Sequence, residues 1–309
     1  MKARRVACVG GATLDRTYRA PGPLRPGTSN PVVQARSNGG VARNVAESLA
    51  RLGVPAALVS VVGADDAGRG LVDALARLGV DVSGVAMRDD AATAEYVAVL
   101  DGAGDLALGL ADMGILDRLT PDAIGTALDG AGLVLADCNL PGATLAHLLA
   151  RRRAGALPVL ALDAVSVAKA ARLPGDLAGL DLLFLNADEA RALAGDLDPR
   201  EAAAALRARG AGAVVLTRGA AGIVVADRDG IDALPAVPVA AIADVTGAGD
   251  ALIAGTLGGI AAGKSLRDAL GWGLAAAALA LERPGGVRPD LSPTLLADTL
   301  ARARGRQIV

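Results

Sequence analysis

A chain of 309 residues, 52% hydrophobic and 21% charged, is long and apolar enough to bury a substantial core, which excludes a disordered segment. Lys plus Arg (31) nearly balances Asp plus Glu (33), so no basic face argues for nucleic acid or another polyanion. One histidine and two cysteines are too few for a Cys/His metal cluster and leave a Ser-His-Asp triad without support.

The N-terminal Met1-Lys-Ala-Arg-Arg5 enters a strand pattern with no signal-peptide apolar region. The longest apolar runs, near Ala251–Ala262 and Leu274–Leu281, are too short or too broken by glycine to span a bilayer, so a soluble cytoplasmic protein without membrane contact is the expectation. Val6–Val9 reads as a buried strand ending at Gly10-Gly11, with Asp15 just beyond. Open α/β sheets place ligand contacts past the C-terminal ends of their strands, although an ordinary turn aspartate fits the same spacing. Tyr18–Arg36 is rich in Pro and Gly, includes Thr28-Ser-Asn-Pro31, and is too long for a tight βα loop, which predicts a projection from the core. Gly39-Gly-Val-Ala-Arg-Asn44 opens a helix over Val41–Leu52 that Gly53 stops. Asn is disfavoured inside helices unless its side chain finds a partner, so Arg43 and Asn44 suit a polar ligand at the helix start.

An alternation follows. Ala57–Val62 reads as a strand, then Gly63-Ala-Asp-Asp-Ala-Gly68 leads into a helix ending near Leu78. Thr93–Leu100 and Asp105–Leu110 flank Asp101-Gly-Ala-Gly104 as a hairpin, a second excursion able to pair with Tyr18–Arg36. Leu133–Ala136 runs into Asp137-Cys-Asn139, Val159–Leu162 into Asp163, and Leu182–Leu185 into Asn186, with Glu189 inside the next helix. Val214–Leu216 runs into Thr217-Arg-Gly219, and Gly222 leads into Ile223–Ala226. Strand after strand closes on a polar residue, and parallel strands bring such residues to one crevice. Cys8 and Cys138 lie in apolar runs and read as buried thiols, and His147 sits in a Leu/Ala helical run as a structural residue. No linker or repeat divides the chain, so residues 1–309 are expected to form a single domain, its last part helical from Asp250 to about Arg304.

The centre of this organisation is Asp244-Val-Thr-Gly-Ala-Gly-Asp250. Thr246 through Gly249 bring main-chain N–H groups to the start of a helix, where unpaired amides and the helix dipole attract an anion. Without Cβ atoms the glycines let a phosphate approach the backbone closely. Asp250, in the first helical turn, would repel that phosphate, but it is well placed to accept a proton from a hydroxyl attacking a bound phosphoryl group. An acidic residue in the first turn of a helix is also common on structural grounds alone.

Taken in order, Gly10-Gly11 with Asp15, Gly39-Gly40 with Asn44, Gly63-x-Asp65, Asn186-x-x-Glu189, Thr217-x-Gly219 and Asp244–Asp250 make the chain resemble the ribokinase-like (PfkB) family of sugar and nucleoside kinases over nearly its whole length. Within that family Ala111-Asp-Met113, Ala136-Asp-Cys-Asn139, Asp163-Ala-Val-Ser166 and Pro289-Asp-Leu-Ser292 look most like kinases of pseudouridine. The resemblance implies a three-layer αβα sandwich with a mostly parallel sheet and a small β lid from residues 18–36 and 93–110. It implies ATP-dependent phosphorylation of the pseudouridine 5′-hydroxyl, with another ribonucleoside or sugar as the alternative acceptor and a non-catalytic nucleoside binder as the remaining one. By the same likeness Asp250 is the base, and Gly247, Ala248 and Gly249 are the anion hole. Asp15, Gly40 and Asn44 would hold ribose hydroxyls, while Ser29, Asn30, Arg43, Thr93 and Asn139 are candidates for reading the base or outer sugar. Asn186 and Glu189 would organise Mg²⁺ through water, and Thr217, Gly219 and Gly222 would border the nucleotide. Asp244 and the Thr246 carbonyl fall where relatives bind K⁺, the remaining ligands coming from carbonyls near Arg283–Arg288. The projecting lid suggests a homodimer, since an exposed sheet invites an isologous partner.

One motif competes. Gly258-Gly-Ile-Ala-Ala-Gly263-Lys264-Ser265 satisfies the Walker A pattern letter for letter. A P-loop needs a strand before it, and Asp250–Leu257 reads as a helix. A turn between helices with Ser265 as the cap is the expected structure.

Overall fold

Short runs of Val, Leu and Ala, bounded by Gly and Asp, build the centre of the molecule. The computed structural model describes residues 3–306. Along the chain come β1 (Val6–Val9), β2 (Thr13–Arg19), β3 (Val33–Gly39), β4 (Ala56–Gly63) and β5 (Asp81–Arg88). Then follow β6 (Glu95–Leu100), β7 (Leu106–Asp112), β8 (Leu133–Asp137), β9 (Leu160–Asp163) and β10 (Leu182–Asn186). The last strands are β11 (Ala213–Thr217), β12 (Ile223–Asp227) and β13 (Gly230–Leu234). Among the described residues they form a nine-stranded sheet in the order β13-β12-β11-β10-β9-β8-β1-β4-β5 and a four-stranded sheet in the order β3-β2-β6-β7.

From β11 to β5 every pairing in the large sheet is parallel, and β12 and β13 close one edge antiparallel. Parallel strands are covered on both faces, which is why their sequences are continuous apolar runs. In β1, Val6 and Cys8 join the core under the helices Val41–Arg51, Ala248–Ala261 and Leu266–Leu281. Ala7 and Val9 join the opposite core with the helices Gly142–Arg153 and Pro199–Ala208. The result is three layers, helix on sheet on helix. Strand order reverses direction between β1 and β8, and in open α/β sheets ligands bind in the crevice outside the strand ends at such a point. Both cysteines are buried, as their apolar surroundings suggested, and burial pushes both thiols up. No helix among the described residues is long and apolar enough to cross a membrane.

The small sheet stands over that crevice. β2 pairs antiparallel with β3 and parallel with β6, so the two excursions do meet, and β6 and β7 form the hairpin. Its strands reach further than the sequence suggested: β2 begins at Thr13, and β3 ends at Gly39, the residue just before the helix N-cap Gly40. Asp15 consequently sits within β2, opposite Ser37, and not in a turn after β1. Edge strands β5 and β13 were not anticipated, because half-exposed edges carry no long apolar run.

Helices Ala248–Ala261 and Leu266–Leu281 pack against each other through glycine. A Cβ on Gly255 would come within 2.6 Å of the Trp272 carbonyl oxygen, and one on Gly259 within 2.8 Å of Ala269 Cα. The Walker-like letters are thus explained by close helix packing followed by a turn. Gly258 and Gly259 are helical, Gly263 (φ 83°) closes the helix, and the Ser265 side chain accepts the Asp268 N–H as the next N-cap. Lys264 lies over the Trp272 ring, 4.8 Å from its centroid. Gly255→Ala is expected to force the two backbones apart and to cost about 1–3 kcal/mol in thermal or denaturant unfolding. Gly271→Ala, on the same second helix with nothing within 4 Å of the new Cβ, is expected to raise stability by about 0.5–1 kcal/mol.

Candidate active site

The site forms where the tips of β1, β8, β9, β10 and β11 face the start of the helix Ala248–Ala261. Gly247 is the N-cap of that helix in the left-handed region (φ 76°), and no side chain caps it. A Cβ on Gly247 would overlap the Gly286 carbonyl, so the loop after the next helix presses directly on this turn. The uncapped amides of the first turn therefore remain available to an anion.

Asp250 is half-buried in that turn. The Asn44 side-chain N–H donates to its Oδ2 at 2.7 Å. Burial pushes the Asp250 carboxyl up to about 6, opposed by the Asn44 hydrogen bond, reinforced by Asp137 and Asp15, and opposed again by Arg43. A base titrating near neutrality is matched to proton abstraction. Asn44 gains its partner because Gly40 (φ 92°) lies so close to the Gly11 carbonyl that only glycine fits, which brings the helix Val41–Arg51 against the β1 turn.

Asp15 points from β2 into the same region, where its Oδ1 accepts the Thr13 hydroxyl at 3.0 Å. Burial raises it, opposed by that hydrogen bond and by Arg43. Asp163 and Glu189 share with Asp250 a cavity of about 240 Å³, also bordered by Asn186, Thr217 and Gly249. Burial, then the charges of Asp250, Glu189 and Asp137, hold Asp163 well above the usual carboxylate range. Glu189 is raised by burial in spite of hydrogen bonds from Asn186. Asn186 and Glu189 form a reciprocal capping box. The Asn186 side chain accepts the Asp188 and Glu189 N–H groups, while Glu189 accepts the Asn186 main-chain and side-chain N–H at 2.8 Å each. The Asn186-x-x-Glu189 spacing is thus a helix start with its carboxylate buried.

This oxygen-rich, mutually repelling donor set fits a hard divalent cation, which would relieve the repulsion. No group of three or more His, Cys, Asp or Glu residues placed to chelate a metal ion directly occurs among the described residues. A second cavity of about 260 Å³ adjoins the first through Thr217, Gly249 and Leu252 and is walled by Ile223, Val237 and Leu274, with Gly219 and Gly222 at its rim. Its apolar walls suit a flat heterocycle beside the anion site. Asp244 binds the Thr246 and Gly285 N–H groups (2.9 and 3.0 Å), which outweigh burial and lower its pKa. These contacts tie the 284–286 loop to the Asp244 turn.

Other expected residues have other partners. Asn30 folds onto Arg25 and Thr28 in its own loop, and Ser29 is exposed. The Thr93 hydroxyl donates to Asp65 at 2.6 Å and accepts the Gly63 N–H at 3.0 Å, tying the root of β6 to the start of a helix. Asn139 is buried beside Gly11 with its carbonyl taken by Arg172. Asp137 and Asp163 were visible in the sequence as strand tips but had not been singled out, and Glu47 gave no signal beyond helical spacing. Val165 is the single non-glycine residue with positive φ (68°) among the described residues, and it lines the cavity with Asp250.

Residues 3–293 match the pfkB family carbohydrate kinase profile. The uncharacterized sugar kinase YeiI of Escherichia coli (strain K12) is 31% identical over 301 residues, covering 94% of this chain and 81% of that protein. The pseudouridine kinase of the same organism is 30% identical over 295 residues, covering 93% of each. The structure of Arabidopsis thaliana ribokinase complexed with ribose and ATP superposes with a TM-score of 0.87 over 97% of this chain and 99% of that one, at 23% identity, which shows a common fold. The chain therefore belongs to the pfkB family of carbohydrate kinases and is an ATP-dependent phosphotransferase.

Proposed function

We propose that the protein phosphorylates the 5′-hydroxyl of pseudouridine at the expense of ATP, giving pseudouridine 5′-phosphate. The observation that carries the phosphotransfer is Asp250, raised to about 6 and held by Asn44, in the first turn of an uncapped glycine-led helix. Support for the acceptor comes from the likeness to the E. coli pseudouridine kinase over 93% of both chains. The acceptor's ribose would lie among Asp15, Gly40 and Asn44, where a carboxylate and an amide can each hold a vicinal hydroxyl.

In this reading Asp250 accepts the hydroxyl proton as the oxygen attacks the terminal phosphorus in line. The amides of Gly247, Ala248 and Gly249 receive the charge that spreads over the transferred oxygens. Thr217, Gly219 and Gly222 border the phosphates and base of the nucleotide. Mg²⁺, when bound, neutralises phosphate charge, and Asn186 and Glu189 would hold it through water. Asp244 and the Thr246 carbonyl would serve K⁺ beside the anion hole. The four-stranded sheet, closing on the crevice, would keep water from the phosphoryl group. It also presents Leu106, Leu108 and Leu110 of the edge strand β7, more than half exposed at alternate positions and hence on one face. We assign that face to a homodimer contact.

Asp250→Asn is expected to lower turnover about 10²–10⁴-fold while calorimetry still detects nucleoside binding. Release of ADP across pseudouridine, uridine, adenosine and ribose should be fastest with pseudouridine; faster turnover of ribose or adenosine would replace the acceptor. A parent chain silent with every acceptor would point to a binding protein. Because the base must be unprotonated, kcat/KM should be level above pH 6 and fall about tenfold per unit below it, following the Asp250 carboxyl. Light scattering should give the mass of a dimer, and Leu108→Asp should give a monomer.

A further inference from the structure

The helix that carries Asn44 also buries Arg43, expected from the sequence to read the base or outer sugar, and Glu47 in one charged chain. Arg43 is 5% exposed, Asn44 5% and Glu47 6%. Arg43 Nη1 donates to the Asn44 side-chain oxygen at 2.7 Å and to the Asn38 carbonyl at the end of β3 at 3.0 Å. Its other terminal nitrogen donates to Glu47, whose second oxygen accepts Arg51 Nε and Nη2 at 2.9 and 2.7 Å. Arg51 in turn donates to the Pro289 carbonyl. A continuous path runs from the 289 loop through Arg51, Glu47, Arg43 and Asn44 to Asp250.

The amide of Asn44 has two faces, one donating and one accepting. Only one orientation lets it donate to Asp250, and that orientation turns its oxygen toward Arg43. Arginine cannot accept a hydrogen bond, so it excludes the flipped amide, in which an N–H would face a guanidinium and an oxygen would face a carboxylate. Stability alone does not account for this arrangement. A buried ion pair is commonly matched by apolar residues of similar volume, and Arg43 Nε–H is buried with no acceptor among the described residues.

We infer that Arg43 is a positioning residue that locks the Asn44 amide toward the catalytic base, and that Glu47, braced by Arg51, holds Arg43 in place. Asp250 is faced by Asp15 from β2, Asp137 from β8, Asp163 from β9 and, across the cavity, Glu189. Arg43 is the cation whose charge acts on Asp250 and Asp15, so its loss removes a charge and an oriented hydrogen bond together. Both losses favour the protonated form of Asp250.

The inference deepens the kinase reading and is tested beside it. Arg43→Met is expected to lower kcat roughly 10²-fold with KM for the nucleoside moving far less. Its acid limb in kcat/KM should move to higher pH. Glu47→Gln, which keeps an acceptor for Arg43, should retain most of kcat, whereas Glu47→Leu should lose tenfold or more. If Arg43→Met does not fold, the two Glu47 variants carry the test, and a Glu47→Leu protein as active as the parent overturns the relay. Carbon-13 titration of the Asp250 carboxyl in the substrate-free protein should show a higher midpoint in Arg43→Met than in the parent; equal midpoints overturn the inference. That measurement needs no turnover, so a parent chain inactive with every acceptor refutes the kinase reading without deciding the relay.

Discussion

A carboxylate shut away from water holds the centre of this molecule together. Asp137, at the tip of β8, accepts the main-chain N–H groups of Gly11, Ala42 and Asn139 at 2.9, 3.0 and 2.9 Å. Burying a charged group without partners is expensive, and these three donors offset that cost. The consequence is geometric: the turn after β1, the first turn of the Asn44 helix and the β8 tip are fixed to one another where the strand order reverses. Gly10 (φ 145°) has no room for a side chain because its Cβ would overlap the same carboxylate. The helix that carries Asn44 to Asp250 is registered on this point through Ala42.

Around it the site gathers like charges. Asp15, Asp137, Asp163, Glu189 and Asp250 all have raised pKa values with burial as the first cause, and the Arg43 guanidinium opposes the rise at Asp15 and Asp250. Arg43 is itself pulled down to about 10, because burial and Arg51 outweigh Asp15 and Asp250. The near-zero balance of the whole chain conceals this concentration. Such crowding opposes folding and favours a site that takes up cations and protons, which is what phosphoryl transfer requires.

Much of this was legible in the sequence. The strands of the parallel sheet appeared as apolar runs ending in polar residues, and Gly247 to Asp250 appeared as a helix start. Asn44, an unfavourable residue for a helix, indeed has a partner. What stayed hidden depended on three-dimensional neighbours. Asp15 looked like a turn residue because the alternation of Thr13–Arg19 is too short to separate strand from loop. Thr93 and Asn30 looked free to bind a ligand, yet their polar atoms engage Asp65, Gly63, Arg25 and Thr28. The Arg43–Glu47–Arg51 chain follows ordinary i,i+4 spacing, and only its burial distinguishes it from a solvated face.

The glycine seam between the last two long buried helices has an evolutionary consequence. With backbone pressed on backbone at Gly255 and Gly259, the helix bearing Asp250 has no freedom to slide or turn. The residues proposed to surround the acceptor belong in part to another sheet, rooted at Gly39 and beside Thr93. The phosphoryl-transfer machinery and the acceptor cover are therefore separable units of inheritance. One can be conserved while the other is exchanged, so descendants of this scaffold can acquire new acceptors without rebuilding the chemistry.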